Sequence, residues 1–188
     1  MKLDKNGSVH LVIGPMFAGK STHLIKTVWG FRAIHIPVFV VKHVIDDRYE
    51  KEKVSSHNLV THDCHTCDHL LPLLEHPQYR ACRVVVLDEA QFFEDLVQFV
   101  QKASDVDKKN VIVYGLSGDF QRKPFKNISE VHSLANEVEK LKAYCFYCKD
   151  STPADYTLRT LQSNEQVIIG TGDIYKPVCR KHYLEMHK

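Results

Sequence analysis

Two short stretches of this sequence have the residue types and spacing for phosphate chemistry. Gly14-Pro15-Met16-Phe17-Ala18-Gly19-Lys20-Ser21 fits the pattern G-x-x-x-x-G-K-[ST]. Such a loop turns successive backbone N–H groups and a helix N-terminus toward phosphate oxygens. Its lysine reaches the β- and γ-phosphates of ATP, and its hydroxyl, here Ser21, can ligate Mg²⁺. Further on, Asp88-Glu89 follows the apolar run Arg83-Val84-Val85-Val86-Leu87. A carboxylate at the end of a buried strand suits a Walker B residue that holds Mg²⁺ directly or through water, the role expected of Asp88. Its neighbour Glu89 can then face the incoming nucleophile and accept its proton as general base. A water-activating glutamate of an ATPase, or a charged pair capping a strand, also fits the pair taken alone.

A third constellation has the spacing of a metal site. Cys145-Phe146-Tyr147-Cys148 and Cys179-Arg180-Lys181-His182 are ligand pairs with two intervening residues each, separated by a loop of thirty. Two knuckle-like turns of this kind close a tetrahedral Cys₃His site for a structural Zn²⁺, which supplies folding energy to a module too small to hold itself. Cys64-His65-Thr66-Cys67, flanked by His62 and His69, lacks a distant second pair and reads as loop and strand surface. Cys82 reads as a core residue. Phe92 and Phe93, then Phe120 and Phe125, follow the charged motifs, where an aromatic ring could stack a base or fill the core.

The surrounding elements fit that chemistry. Val9–Ile13, Val38–Lys42, Arg83–Leu87 and Asn110–Leu116 are short apolar runs of the kind buried in a parallel sheet. Helical spacing is expected after the glycine-rich loop, through Leu24, Ile25, Val28 and Trp29, then over Phe92–Ala103 and about Ile128–Val138. A small helix is expected near Leu70–Leu74. Strands alternating with helices predict an α/β fold whose ligands bind beyond the carboxyl ends of the strands, where both charged motifs lie. Near Lys140 the composition shifts, which divides the chain into a P-loop α/β domain over 1–139 and a zinc-binding domain over 140–188.

With 188 residues, 44% of them hydrophobic, the chain can bury one sizeable core and a small appendage, and a net charge of +2 gives no reason to expect a nucleic-acid or membrane partner. The N-terminal residues lack an apolar signal region, so a cytoplasmic location is expected. Asp88-Glu89-Ala90-Gln91 also spells a box found in RNA helicases. A chain with one such domain and a short appendage does not fit an enzyme that closes two RecA-like domains around a strand. A nucleic-acid-stimulated ATPase and a zinc protein with a nucleotide-sensing P-loop are the competing readings.

In order along the chain, GPMFAGKS, DDRY, THD, DEAQFF, GDFQRKPF, CFYC and CRKH resemble the motif set of type II, cytosolic-type thymidine kinases of cells and large DNA viruses, from Val9 to His182. The resemblance implies a RecA-like parallel sheet flanked by helices, and a zinc-anchored lasso that closes over the nucleoside. It also implies a homotetramer, and transfer of the γ-phosphoryl group of Mg-ATP to the 5′-hydroxyl of thymidine, with feedback by dTTP. It assigns ATP to Gly14 through Ser21, and the nucleotide and magnesium surroundings to Asp46, Asp47, Arg48, Asp88 and Gln91. Arg159 takes a phosphate-side position, and Glu89 the role of base. The nucleoside pocket matches Phe120, Gln166, Val167, Ile168, Ile169, Gly170 and Tyr175, with Met16, Phe92, Leu116 and Phe125 around it. Backbone groups matching a thymine edge leave cytosine's reversed pattern unpaired, at ~1–3 kcal/mol per buried group. Three positions depart from the usual pattern: Asp119 where threonine is common, Gln166 at a usually apolar lasso position, and His182 where some relatives have cysteine.

Overall fold

The structure, a computed structural model, describes residues 2–45, 53–55, 61–161 and 174–186. Strand β1 (Ser8–Gly14) leads through the glycine-rich loop into helix α1 (Lys20–Ala33) and strand β2 (Val38–His43). Two short segments, β3 (Lys53–Ser55) and β4 (Thr61–Asp63), form an antiparallel ribbon, followed by β5 (His65–Cys67) and α2 (Pro77–Ala81). Then come β6 (Val84–Asp88), α3 (Leu96–Gln101), β7 (Asn110–Leu116), α4 (Lys126–Leu134) and β8 (Glu137–Lys140). Six strands make one sheet in the order β5-β2-β6-β7-β1-β8, and each neighbouring pair is parallel. One strand, β7, separates the P-loop strand from the strand of the acidic pair, which is the RecA-like arrangement.

The apolar runs are continuous because the central strands are covered on both faces. Leu11, Val41, Val85, Leu87, Val111 and Val113 belong to a core closed by Tyr79 of α2, by Leu96, Phe99 and Val100 of α3, and by Ile128 and Val131 of α4. The alternate residues Val12, Val40, Val84, Val86, Ile112 and Tyr114 pack under Leu24, Ile25 and Val28 of α1. Trp29, which shares the helical spacing of these three, instead turns outward and is 54% exposed. No described helix is long and apolar enough to cross a membrane.

Two expected helices are shorter than their spacing suggests. The stretch from Phe92 to Ala103 opens on a 3₁₀ turn at Ala90–Phe92, and α3 begins only at Leu96 before widening into a π turn at Lys102–Val106. Asp95, just before α3, faces away from that helix: its carboxylate accepts the N–H groups of Leu70 and Leu71, at 2.8 Å each, at the start of the 3₁₀ helix Leu71–Glu75. The helix expected to reach Val138 ends at Leu134. Asn136 then brackets Val9, donating its N–H to the Val9 carbonyl and accepting the Val9 N–H on Oδ1, both at 2.8 Å. This docking sends Glu137–Lys140 along β1 as a sixth strand. β8 is an edge strand with mostly exposed side chains, so it carries no apolar pattern to betray it.

The C-terminal part is built from hairpin pairs. Ala143–Tyr144 (β9) pairs with Pro153–Ala154 (β10), and Tyr156–Arg159 (β11) with Tyr175–Val178 (β12), before helix α5 (Arg180–Met186).

Candidate active site

Side-chain alternation decides which way the acidic strand points. Asp88 has the parity of Val84 and Val86, so it faces the α1 side of the sheet, onto which β1 releases the glycine-rich loop. Gly14, Leu116, Asp88 and His43 end four adjacent strands on one edge. With neighbouring strands about 4.8 Å apart, the ends of β1 and β6 are roughly 10 Å apart, a span a magnesium triphosphate can bridge.

The loop itself is shaped by two left-handed residues, Phe17 at φ 66° and Gly19 at φ 78°. A Cβ on Gly19 would meet no protein atom within 4 Å, so the cradle above it is open. At Gly14 the constraint is a crossing chain: a Cβ there would lie 2.7 Å from the Leu141 carbonyl oxygen. No side chain caps α1, leaving its first-turn amides to the loop. Lys20 Nζ donates to the Gly14 and Pro15 carbonyls at 3.3 and 2.9 Å. The Met16 N–H donates to Thr157 Oγ1 at 3.0 Å, so β11 helps to hold the loop.

Glu89 follows the strand in a left-handed conformation, φ 49° and ψ 40°, which is costly for a side chain with a Cβ and turns it away from the strand direction. Its N–H donates to Asp88 Oδ1 at 3.0 Å, and its Oε2 accepts from Gln91 Nε2 at 2.6 Å. Gln91 is oriented from the far side, because its Oε1 accepts the Leu116 N–H at 3.1 Å. Glycine at 115 leaves room for that contact, since a Cβ there would lie 3.2 Å from Gln91 Oε1 and 2.7 Å from Ile128 Cδ1 and would press on both side chains. Asn127 Nδ2 donates to the carbonyls of Gln91 and Phe93 at 3.0 and 2.9 Å, fixing the turn that carries the acidic pair. Thr157, Gly115 and Asn127 have no motif of their own; only the tertiary contacts identify them.

The aromatic and basic candidates separate into groups. Phe120 is 9% exposed, and the Arg159 guanidinium carbon lies 3.4 Å from its ring centroid, a cation–π stack. Tyr175 stands opposite Arg159 in the β11–β12 register, so these three collect on one side of the site. Phe92 is half-buried against His43, whose ring centroid is 5.7 Å away; burial lowers the pKa of that histidine, against the pull of Asp68, Asp95 and Glu89. Phe125 joins the core cluster, with Leu116 packed against it. Asp119 turns into its own loop, where Oδ1 accepts the N–H groups of Gln121 and Lys123 at 2.8 Å each. Asp46, Asp47 and Arg48, and Gln166, Val167, Ile168, Ile169 and Gly170, lie outside the described residues.

Cys145, Cys148, Cys179 and His182 bring four donor atoms within 4.8 Å of one another. Each of the three sulfurs is 3.4 Å from His182 Nδ1, and the Cys148 and Cys179 sulfurs are 3.8 Å apart. One ring nitrogen cannot make three equivalent hydrogen bonds. A tetrahedral ion with Zn–S bonds of about 2.3 Å, however, gives an S–S edge of roughly 3.8 Å. Burial raises the Cys145 thiol, but the backbone amides of Cys179, Cys148 and Tyr147 outweigh it and bring it down to about 6, as suits a thiolate ligand. Among the described residues no second such cluster forms, and burial, followed by Asp68 and Asp95, pushes the Cys67 thiol up to about 12.

Against known proteins, the sequence pattern named thymidine kinase matches residues 7–183. The chain belongs to the thymidine kinase family. Thymidine kinase a of Arabidopsis thaliana is 38% identical over 185 residues, covering 97% of this chain and 77% of that protein. The thymidine kinase of Myxoma virus (strain Lausanne) is 41% identical over 182 residues, covering 94% and 96%. That of Oryza sativa subsp. japonica is 37% identical over 187 residues, covering 95% and 67%. A solved DNA replication initiation factor is similar over 72% of this chain and 40% of its own at 11% identity and a TM-score of 0.42, too slight a likeness to carry weight. Membership of the family makes the chain a nucleoside kinase, and among the described residues the sheet edge gathers the candidate reacting groups while the Cys₃His cluster could hold a metal ion.

Proposed function

We propose that the chain transfers the γ-phosphoryl group of ATP to the 5′-hydroxyl of thymidine, with Glu89 as the general base. The observation that supports this best is the short bridge from Glu89 through Gln91 to the Leu116 N–H, which aims a carboxylate from the same sheet edge that carries the P-loop. In the transfer, the nucleoside 5′-oxygen bonds to the γ-phosphorus as the bond to the β,γ-bridging oxygen breaks, and the hydroxyl proton passes to Glu89. Lys20 exchanges its two loop carbonyls for phosphate oxygens, and Gly14 through Ser21 offer their amides to the triphosphate. Ser21 and Asp88 are hard oxygen donors on the P-loop face and would hold Mg²⁺, which neutralises charge on the β- and γ-phosphates.

Phe120 and Tyr175, with Met16, Phe92, Leu116 and Phe125 around them, form the described part of the nucleoside side, and Arg159 reaches over the Phe120 ring from the phosphate side. The family resemblance assigns Gln166, Val167, Ile168, Ile169 and Gly170 to the thymine, and Asp46, Asp47 and Arg48 to the nucleotide. In this reading residues 140–188 act as a zinc-anchored flap on the kinase body of 1–139. The family resemblance adds homotetramer assembly, dTTP as feedback inhibitor and a cytoplasmic setting. ADP release measured with thymidine, deoxycytidine, single-stranded DNA or no acceptor tests the function. A kinase forms dTMP in step with ADP. ADP release that DNA stimulates, or that no acceptor alters, would overturn the reading.

A further inference from the structure

The residue after the last proposed zinc ligand points away from the metal. Tyr183 follows His182 on α5, is 1% exposed, and donates its hydroxyl to the Phe120 carbonyl oxygen at 2.7 Å, across 63 positions of sequence. Its ring is held on its own account: the Arg122 guanidinium lies 4.5 Å from its centroid, and the Tyr156 ring centroid is 5.4 Å away. Phe120 is therefore gripped twice from the C-terminal part, at its main chain by Tyr183 of α5 and at its ring by Arg159 of β11. The loop's own bonds are of another kind. Asp119 ties Gln121 and Lys123 to itself, and Arg122 turns through φ 63°, so these features set the shape of residues 118–125. The two external contacts set where Phe120 sits relative to the zinc cluster.

We infer that Tyr183 is a positioning residue for nucleoside binding, coupling the Cys145, Cys148, Cys179 and His182 cluster to the Phe120 ring through the Phe120 carbonyl. The inference rests on the proposal that Phe120 lines the nucleoside pocket. The P-loop is held by a different hydrogen bond, from the Met16 N–H to Thr157 Oγ1, in which the Tyr183 hydroxyl takes no part. Removing the hydroxyl should therefore act on one substrate and spare the other. A role in general stability would instead move both substrates together.

Tyr183→Phe keeps the ring for Arg122 and Tyr156 and deletes the hydroxyl, which donates to Phe120 and also meets the Arg122 side chain. Steady-state kinetics on the zinc-loaded enzyme should give a thymidine KM raised roughly three- to tenfold, the equivalent of one neutral hydrogen bond, with the ATP KM, kcat and zinc content close to those of the parent. Calorimetric titration with thymidine should reproduce the loss without turnover. An unchanged thymidine KM in zinc-loaded Tyr183→Phe, or an equal rise in both KM values, overturns the coupling. Phe120→Ala separates this from the pocket assignment. If it raises the thymidine KM while Tyr183→Phe does not, only the coupling fails. If Phe120→Ala leaves that KM unchanged, Phe120 is not in the pocket and the inference falls with it.

Discussion

The two halves of the site are held in place by different physics. On the phosphate side, strand register and two large apolar clusters position Gly14, Asp88 and Leu116, and short hydrogen bonds through Gln91 and Asn127 finish the alignment of the acidic pair. On the side proposed for the nucleoside, the described residues near Tyr175 include a cluster of seven buried ones, and two of them, Cys145 and Cys179, are candidate metal ligands. That is too little apolar surface to fold unaided, so the flap should depend on its ion where the sheet does not. A site built this way can lose its nucleoside half and keep its nucleotide half.

The largest effect expected falls on the sheet side. Glu89→Gln keeps the side-chain shape and removes the base, so turnover should drop on the order of 10²–10⁴ while ATP binding holds. Full turnover in that variant would take Glu89 out of the mechanism. Next in size is zinc removal. Chelation should cut thymidine turnover by at least about two orders of magnitude, because the binding of a structural zinc, worth about 10–16 kcal/mol in small zinc-dependent folds, is the folding free energy of such a module. The sheet should still melt cooperatively and still bind ATP, more weakly because the Thr157 contact to the Met16 N–H goes with the flap. Simultaneous loss of both would show that the two halves fold as one and would erase the contrast.

A smaller effect sharpens the sheet side itself. Gln91→Leu deletes the donor to the Glu89 carboxylate, a bond to a charged group worth about 1.5–3 kcal/mol, so kcat should fall by roughly ten- to a hundredfold with little change in either KM. The carboxylate also loses a bond that favours its ionised form, which moves the acid limb of the kcat profile to higher pH. A fall in kcat without movement of that limb would make Gln91 a packing residue.

How far each half could be read in the sequence follows from the same contrast. β1, β2, β6 and β7 announce themselves because burial on both faces leaves unbroken apolar runs, and the loop and cysteine spacings carry their chemistry in a few adjacent residues. β8 is hidden because it is an exposed edge, held by the bracket of Asn136 on Val9. The helix around Phe92–Ala103 is misread because its apolar spacing spans a 3₁₀ turn, a break at Asp95 and a π turn. Gln91, Asn127, Thr157 and Tyr183 act across 25 to 141 positions of sequence, a distance that no local pattern encodes. Of the four, Gln91 alone is marked in the sequence, as the last residue of the Asp88-Glu89-Ala90-Gln91 box.

The smallest effect concerns the hidden edge. His10 on β1 is 7% exposed, and its nitrogens lie 3.7 Å from Glu137 and from Glu139 of β8. Burial lowers its pKa more than these two carboxylates raise it, while the amino terminus and His23 add to the lowering. The folded protein thus binds a proton on His10 less readily than the unfolded chain, whose histidine titrates near ~6.5. The stability this contributes is present above that pH and is lost as the pH falls from there through the folded-state pKa. Burial lowers His43 and His65 in the same direction, and acid also weakens metal binding, so the wild-type decline alone is not diagnostic. His10→Gln removes only this one titration. The melting-temperature gap between wild type and His10→Gln should narrow as the pH falls from about 7.5 to 5.5. A gap that stays constant, or widens in acid, would mean that the carboxylates of β8 outweigh burial and that protonation fastens this edge of the sheet.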